Sequence, residues 1–245
     1  MLNQSFILAH RGWSGQYPEN TLMAFNEALA LGVDGLEFDV QLSSDHVPVI
    51  FHDATVNRTT QESGKVSEKS LAQLRRLNAA QGWPQVPAQP IPLLEEVLQL
   101  IAQTHPNGFY NIEVKVYNED WKALVDRFMP ILLQYPFGKH VLISSFYHPC
   151  LRYLQEQFPG TPVGLLYEDK GTDPCQDAKR LGAYSVNMDY QFITKKLVED
   201  CHAAAVKVCA WTVDDALDLR TLAAWGVDVL ISNHPNVALQ AVRTV

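Results

Sequence analysis

Two short runs gather carboxylates on strand-like sequence. In Glu37-Phe38-Asp39-Val40 acidic and apolar residues alternate. Side chains alternate across a strand, so Glu37 and Asp39 share one face while Phe38 and Val40 share the other. Asn111-Ile112-Glu113-Val114-Lys115 repeats the pattern, with Asn111, Glu113 and Lys115 opposite the apolar Ile112 and Val114. Burying an unpaired carboxylate costs on the order of several kcal/mol, so the cluster requires a cation. Oxygen donors with no cysteine beside them suit a hard divalent ion, Mg²⁺ or Ca²⁺, better than zinc. Glu37, Asp39 and Glu113 are thus the candidate metal ligands; a structural salt-bridge network is the alternative.

Two histidines close neighbouring apolar runs, in His10-Arg11-Gly12 and in His52-Asp53. A turn at Ser43-Ser44-Asp45 implies an antiparallel hairpin in which position 52 falls opposite position 37, beside the metal carboxylates. Histidine titrates near neutral pH, so His10 and His52 can serve as the base and the acid of one displacement. His46, His105, His140, His148, His202 and His234 are read as surface or packing residues. Arg11 offers a rigid donor fork matched to a phosphate, and Gly12 lets the backbone come close. Three carboxylates at −3, a divalent ion at +2 and Arg11 with Lys115 at +2 sum to +1, which a phosphodiester monoanion neutralises.

Elements must place these residues together. Strand candidates are Phe6–Ala9, Gly35–Gln41, Phe109–Lys115, Val141–Ser145, Pro162–Leu166, Tyr184–Met188, Lys207–Thr212 and Asp228–Ser232. Helix-like stretches follow at Thr21–Leu31, Leu93–Gln103, Trp121–Gln134, Pro149–Phe158, Pro174–Leu181, Thr194–Ala204, Asp214–Trp225 and Pro235–Val242. Eight strand–helix pairs in this length predict an α/β fold, a TIM (β/α)8 barrel forming a single domain over residues 1–245. Val47–Phe51 is the return arm of a hairpin. The polar segment 54–92 reads as an insertion between the second strand and its helix, mostly loop with a short helix near Glu68–Leu77. A doubly wound open sheet is the rival architecture, and the missing glycine fingerprint counts against its dinucleotide-binding form.

The chain has 245 residues, 47% apolar and 19% charged, enough to bury a full core and unlike a disordered or fibrous composition. A net charge of −8 disfavours a broad electrostatic grip on nucleic acid or anionic membrane, so an anionic substrate must be held locally. No basic amphipathic segment suggests stable membrane association. Met1–His10 lacks a basic, apolar leader, and Cys150, Cys175, Cys201 and Cys209 are dispersed without a C-x-x-C pair. Both features predict free thiols and a cytoplasmic protein. A zinc site on Cys201, His202 and Cys209 fits no usual ligand spacing. The sequence leaves the choice between monomer and homodimer open.

The ordered series His10-Arg11-Gly12, Pro18-Glu19-Asn20-Thr21, Glu37-Phe38-Asp39-Val40, His52-Asp53 and Arg58-Thr59-Thr60 resembles the glycerophosphodiester phosphodiesterases, in particular the cytoplasmic bacterial type. Ile91-Pro92-Leu93-Leu94-Glu95-Glu96-Val97-Leu98, Glu113-Val114-Lys115, Ser144-Ser145-Phe146 and Trp211-Thr212-Val213 extend the likeness along nearly the whole chain. The resemblance implies a metal-dependent barrel hydrolase that releases sn-glycerol 3-phosphate and an alcohol from glycerophosphodiesters. It also implies that Glu37, Asp39 and Glu113 bind the metal, that His10 and His52 are the acid/base pair, and that Arg11 and Lys115 hold the phosphate. Trp211 looks like the family's substrate-contacting aromatic, with barrel packing as the equal alternative. Asn20 and Thr21 are expected to cap the first helix, and Glu19 is a candidate partner of the catalytic groups. Ser232-Asn233-His234-Pro235 departs mildly from the family's Thr-Asp or Thr-Asn before a proline turn. Rival functions are a barrel phospholipase acting on intact lipid and a silent phosphoester-binding barrel.

Overall fold

Eight parallel strands close on themselves in the computed structural model, which describes residues 4–169 and 173–243. The strands are β1 (Phe6–His10), β2 (Gly35–Leu42), β3 (Pro48–Ile50), β4 (Phe109–Val114), β5 (Val141–Ser145), β6 (Val163–Tyr167), β7 (Ser185–Asp189), β8 (Lys207–Trp211) and β9 (Val229–Ser232). Their order is β1-β9-β8-β7-β6-β5-β4-β2-β3, and the β1–β2 pairing closes the ring; β3 hangs on β2 as an antiparallel arm. The helices are α1 (Leu22–Ala30), α2 (Leu71–Leu74), α3 (Leu94–Thr104), α4 (Trp121–Leu132), α5 (His148–Gln157), α6 (Pro174–Leu181), α7 (Lys195–Ala203), α8 (Ala216–Trp225) and α9 (Pro235–Arg243). This is the expected (β/α)8 barrel. Met1–Asn3, part of the leader reading, lie outside the described residues.

Strand parity sorts the core into two layers. Ile7, Ala9, Leu36, Phe38, Val40, Ile112 and Val114 pack outward with the helices, where Phe38 meets Phe25 of α1 at 5.7 Å between ring centres. Leu8, Phe109, Leu142, Cys209, Val229 and Ile231 fill the barrel interior. His10, Glu37, Asn111 and Glu113 continue that inward series toward the C-terminal ends of their strands. An apolar plug thus fills one end of the barrel, and the chemistry sits at the other, where barrel loops gather.

Three expectations need correction. The β2–β3 ladder pairs Val40 with Ile50 and Leu42 with Pro48, one residue out of the register that would set position 52 opposite position 37. The ladder ends at Ile50, and the chain turns out of the strand, so His52 reaches the site from a loop rather than from strand parity. The insertion helix is only α2, preceded by a 3-10 turn at Val66–Glu68. The inserted segment instead contributes a small core of Val56, Val66, Leu74, Leu77, Ala79 and Ile91 that packs with Val49 and Phe51. Cys175 and Cys201 are not free thiols. They form a disulfide between α6 and α7, because adjacent barrel helices bring their Cα atoms to 5.2 Å across 26 positions of sequence. Cys150 and Cys209 are free and buried.

Candidate active site

The strand ends deliver the carboxylates as parity requires. In parallel register His10 pairs with Glu37, Glu37 with Asn111, and Asp39 with Glu113. One carboxylate oxygen each from Glu37, Asp39 and Glu113 lies within 4.8 Å of the others, close enough to hold one metal ion. Asp39 Oδ1 and Asn111 Oδ1 are buried and accept no hydrogen bond. Buried oxygens with free lone pairs are what a hard cation takes up, so the residues present fit a divalent ion, although Lys115 Nζ also stands 3.3 Å from Asp39 Oδ1.

Electrostatics divides the three acids. Burial raises Glu37 well above the usual carboxylate range, and the charges of Asp39 and Glu113 raise it further. Glu113 is pushed up to about 7, chiefly by burial, although Lys115 opposes the shift. Burial would raise Asp39 too, but Lys115 and Arg11 overcome it and hold Asp39 ionised. Lys115 Nζ lies 2.6 Å from Glu113 Oε1 and 3.3 Å from Asp39 Oδ1. Asn20 Nδ2 donates to Asp39 Oδ2 at 2.8 Å.

Each histidine is oriented through Nδ1. The amide of Asn233 is fixed by donation from its Nδ2 to Asp214 Oδ2 at 2.8 Å, so its Oδ1 accepts from His10 Nδ1 at 2.7 Å. Asp53 Oδ1 accepts from His52 Nδ1 at 2.6 Å. Both arrangements leave Nε2 as the nitrogen available for proton exchange. Burial, reinforced by Arg11, lowers His10 to about 4, and burial lowers His52 against the pull of Asp39. Tyr117 Oη donates to the His52 carbonyl at 2.7 Å and anchors the loop.

Arg11 adopts a left-handed backbone at φ 54°, a costly conformation for a residue with a side chain, and its N–H donates to Glu37 Oε2 at 3.0 Å. Its Nη1 donates to Glu19 Oε1 at 3.0 Å, while Nη2 makes no hydrogen bond among the described residues. Gly12 is required for packing as well. At φ 80° it packs on α1, where a Cβ would meet the Ala24 backbone at 2.7 Å.

A cavity of about 510 Å³ joins these groups. His10, Arg11, Glu37, His52, Glu113 and Lys115 line it, and Trp211 stands in its wall. Trp211 meets Phe146 edge-on at 5.7 Å and packs on the barrel interior, so both readings of its role keep a structural basis. Every sequence-derived site residue except Asp39 borders this cavity, and Asp39 lies buried behind it against Arg11 and Lys115. Thr21 caps α1 as expected, whereas Asn20 braces Asp39 instead of capping. Sequence reasoning did not single out Asp214, Tyr117 or the site role of Asn233. The proline turn at Asn233 was the only signal, because the partners of these residues lie far away in the chain.

Comparison with known proteins identifies the family and the fold. The sequence profile of the glycerophosphoryl diester phosphodiesterase family matches residues 10–237. A glycerophosphodiester phosphodiesterase of Caldanaerobacter subterraneus subsp. tengcongensis is 36% identical over 98% of both chains, and one of Bacillus altitudinis is 32% identical over 96% of both. An Oleispira antarctica phosphodiesterase, solved with the product sn-glycerol-3-phosphate, superposes with a TM-score of 0.89 at 29% identity, covering 98% of this chain and 97% of that one. With the family profile matched over residues 10–237 and relatives 36% and 32% identical along nearly the whole chain, the chain belongs to the glycerophosphoryl diester phosphodiesterase family.

Proposed function

We propose that the chain hydrolyses glycerophosphodiesters to sn-glycerol 3-phosphate and an alcohol, using one divalent ion, Mg²⁺ or Ca²⁺, held by Glu37, Asp39 and Glu113. The observation that carries this reading is the meeting of that acidic cluster with two oriented histidines and two cations around one cavity. When bound, the ion supplies positive charge to the non-bridging phosphate oxygens. Arg11 binds the phosphate through its open guanidinium edge, and Lys115 adds charge from the cluster side. His10 and His52 exchange protons with the nucleophile and the leaving alcohol through their Nε2 atoms. Trp211 bounds the substrate on the apolar wall.

Residues 1–245 act as one catalytic domain in this reading, with 54–92 as its insertion. We place the enzyme in the cytoplasm on the free thiols of Cys150 and Cys209, whereas the Cys175–Cys201 bridge removes half of the cysteine argument. Among the described residues no helix is long and apolar enough to cross a membrane. The substrate partner is a small water-borne diester.

Enzyme-coupled detection of glycerol 3-phosphate from a panel of glycerophosphodiesters tests the reaction. Release that EDTA abolishes and Mg²⁺ or Ca²⁺ restores is the expected result. No release with any metal would overturn the reading.

A further inference from the structure

Arg58 belongs to no helix or strand and sits in the loop segment after β3, with 48% of its side chain exposed. Exposed ion pairs ordinarily contribute little. This guanidinium, however, engages all four oxygens of two carboxylates. Nη1 and Nη2 donate to Glu19 Oε2 and Oε1 at 2.6 and 2.8 Å. Nε and Nη2 donate to Asp53 Oδ2 and Oδ1 at 2.8 and 2.9 Å. Each carboxylate then holds one residue of the site, Glu19 through Arg11 Nη1 at 3.0 Å and Asp53 through His52 Nδ1 at 2.6 Å.

We propose that Arg58 is a positioning residue, a single planar guanidinium that locks Glu19 to Asp53 and thereby fixes the phosphate fork of Arg11 relative to the imidazole of His52. The inference rests on the roles proposed above for Arg11 and His52, and it adds a residue outside the cavity lining. A planar fork can bridge two carboxylates with defined spacing; the compact ammonium of lysine cannot. Arg58 also offsets one of the two negative charges of Glu19 and Asp53. Without Arg58 an excess carboxylate charge would face the incoming phosphodiester. Burial works against ionisation of Glu19 and Asp53, yet their bonds to Arg58 keep Glu19 below the usual carboxylate range and Asp53 at about 2.

The test compares Arg58→Met, Arg58→Lys, Asp53→Asn and the Asp53→Asn/Arg58→Met double variant. Steady-state turnover reads His52, and calorimetric affinity for sn-glycerol 3-phosphate on metal-loaded protein reads Arg11 without turnover. Arg58→Met should lower kcat about tenfold or more and weaken product binding, since small misplacements of oriented groups are costly. Arg58→Lys should not restore either, although it keeps the charge. In the Asp53→Asn background, Arg58→Met should lower kcat by much less than it does alone, because residues acting through one partner are not additive. Added guanidinium ion should restore part of the turnover of Arg58→Ala, which separates positioning from a folding defect. Turnover and product affinity within about twofold of the parent in Arg58→Met, or full recovery in Arg58→Lys, would overturn the proposal. His52→Ala and Arg11→Ala, measured beside them, show separately whether the roles assigned to those two residues fail.

Discussion

Glu37 and Asp39 stand two residues apart on one face of β2, yet their carboxyls are driven in opposite directions. Asp39 has Lys115, Arg11 and Asn20 around it, whereas at Glu37 burial and two acidic neighbours outweigh the charge and backbone N–H of Arg11. Lys115 and Arg11 thus favour the charged form of Asp39, while burial favours the neutral forms of Glu37 and Glu113 until a cation or a higher pH offsets it.

Metal binding should therefore expel protons from Glu37 and Glu113. A carboxyl whose folded pKa is raised favours the folded state at low pH, and that contribution is lost as pH rises through the raised value. For Glu113 the window runs from 4.5 to about 7. Asp39 has the opposite sign, with its contribution lost only in stronger acid. The rise in Tm on adding Mg²⁺ or Ca²⁺ to EDTA-stripped protein should grow between about pH 5 and about pH 8. Thermal unfolding at both pH values checks this, and a gain that does not change with pH would contradict it.

His10→Ala and His52→Ala should each lose at least about 10²-fold in kcat, the lower end of acid/base contributions. Asn233→Ala should lose less, about tenfold, because the ring of His10 remains but loses its orienting acceptor. Near-parental turnover in either histidine variant would remove that residue from the chemistry.

Asn20→Ala deletes the donor to Asp39 Oδ2 and leaves that buried carboxylate oxygen only the longer ion pair to Arg11 Nε at 3.5 Å. The expected cost is about 1–3 kcal/mol of folding stability in metal-free protein. Urea unfolding of stripped and metal-loaded samples measures it. An unchanged midpoint in the stripped protein would mean that Asp39 is held well enough by Lys115 and Arg11 alone.

The Cys175–Cys201 bridge leaves two thiols, Cys150 and Cys209. Alkylation of denatured, unreduced protein should modify two cysteines, and prior reduction should raise the number to four. Cys201→Ser should lower stability by about 2–4 kcal/mol, the usual range for a cross-link closing a loop of this size. Four reactive thiols without reductant would rule the bridge out in the isolated protein.

Local alternation was sufficient to read most of the barrel and its acidic faces. Glu37, Asp39, Glu113 and Lys115 could be aimed inward from sequence because a strand has a period of two and their neighbours Phe38, Ile112 and Val114 must face the helices. The boundaries of β5 and α6 were legible to the residue. Short polar elements such as α2 carry no such periodicity, and the shortfall at Glu68–Leu77 follows from that.

The sequence by itself thus determined the barrel, the inward carboxylate faces of β2 and β4 and the choice of candidate histidines, because each depends on residue type and local alternation, whereas the loop route of His52 to the site did not. Tertiary structure alone decided how those groups are held. The His10–Asn233 bond spans 223 positions, the Arg58–Glu19 clamp spans 39, and the disulfide joins two separate helices. Closing β1 on β9 makes the first of these, and the side-by-side packing of neighbouring β-α units makes the other two. No local periodicity encodes them, so they exist only once those elements have packed together.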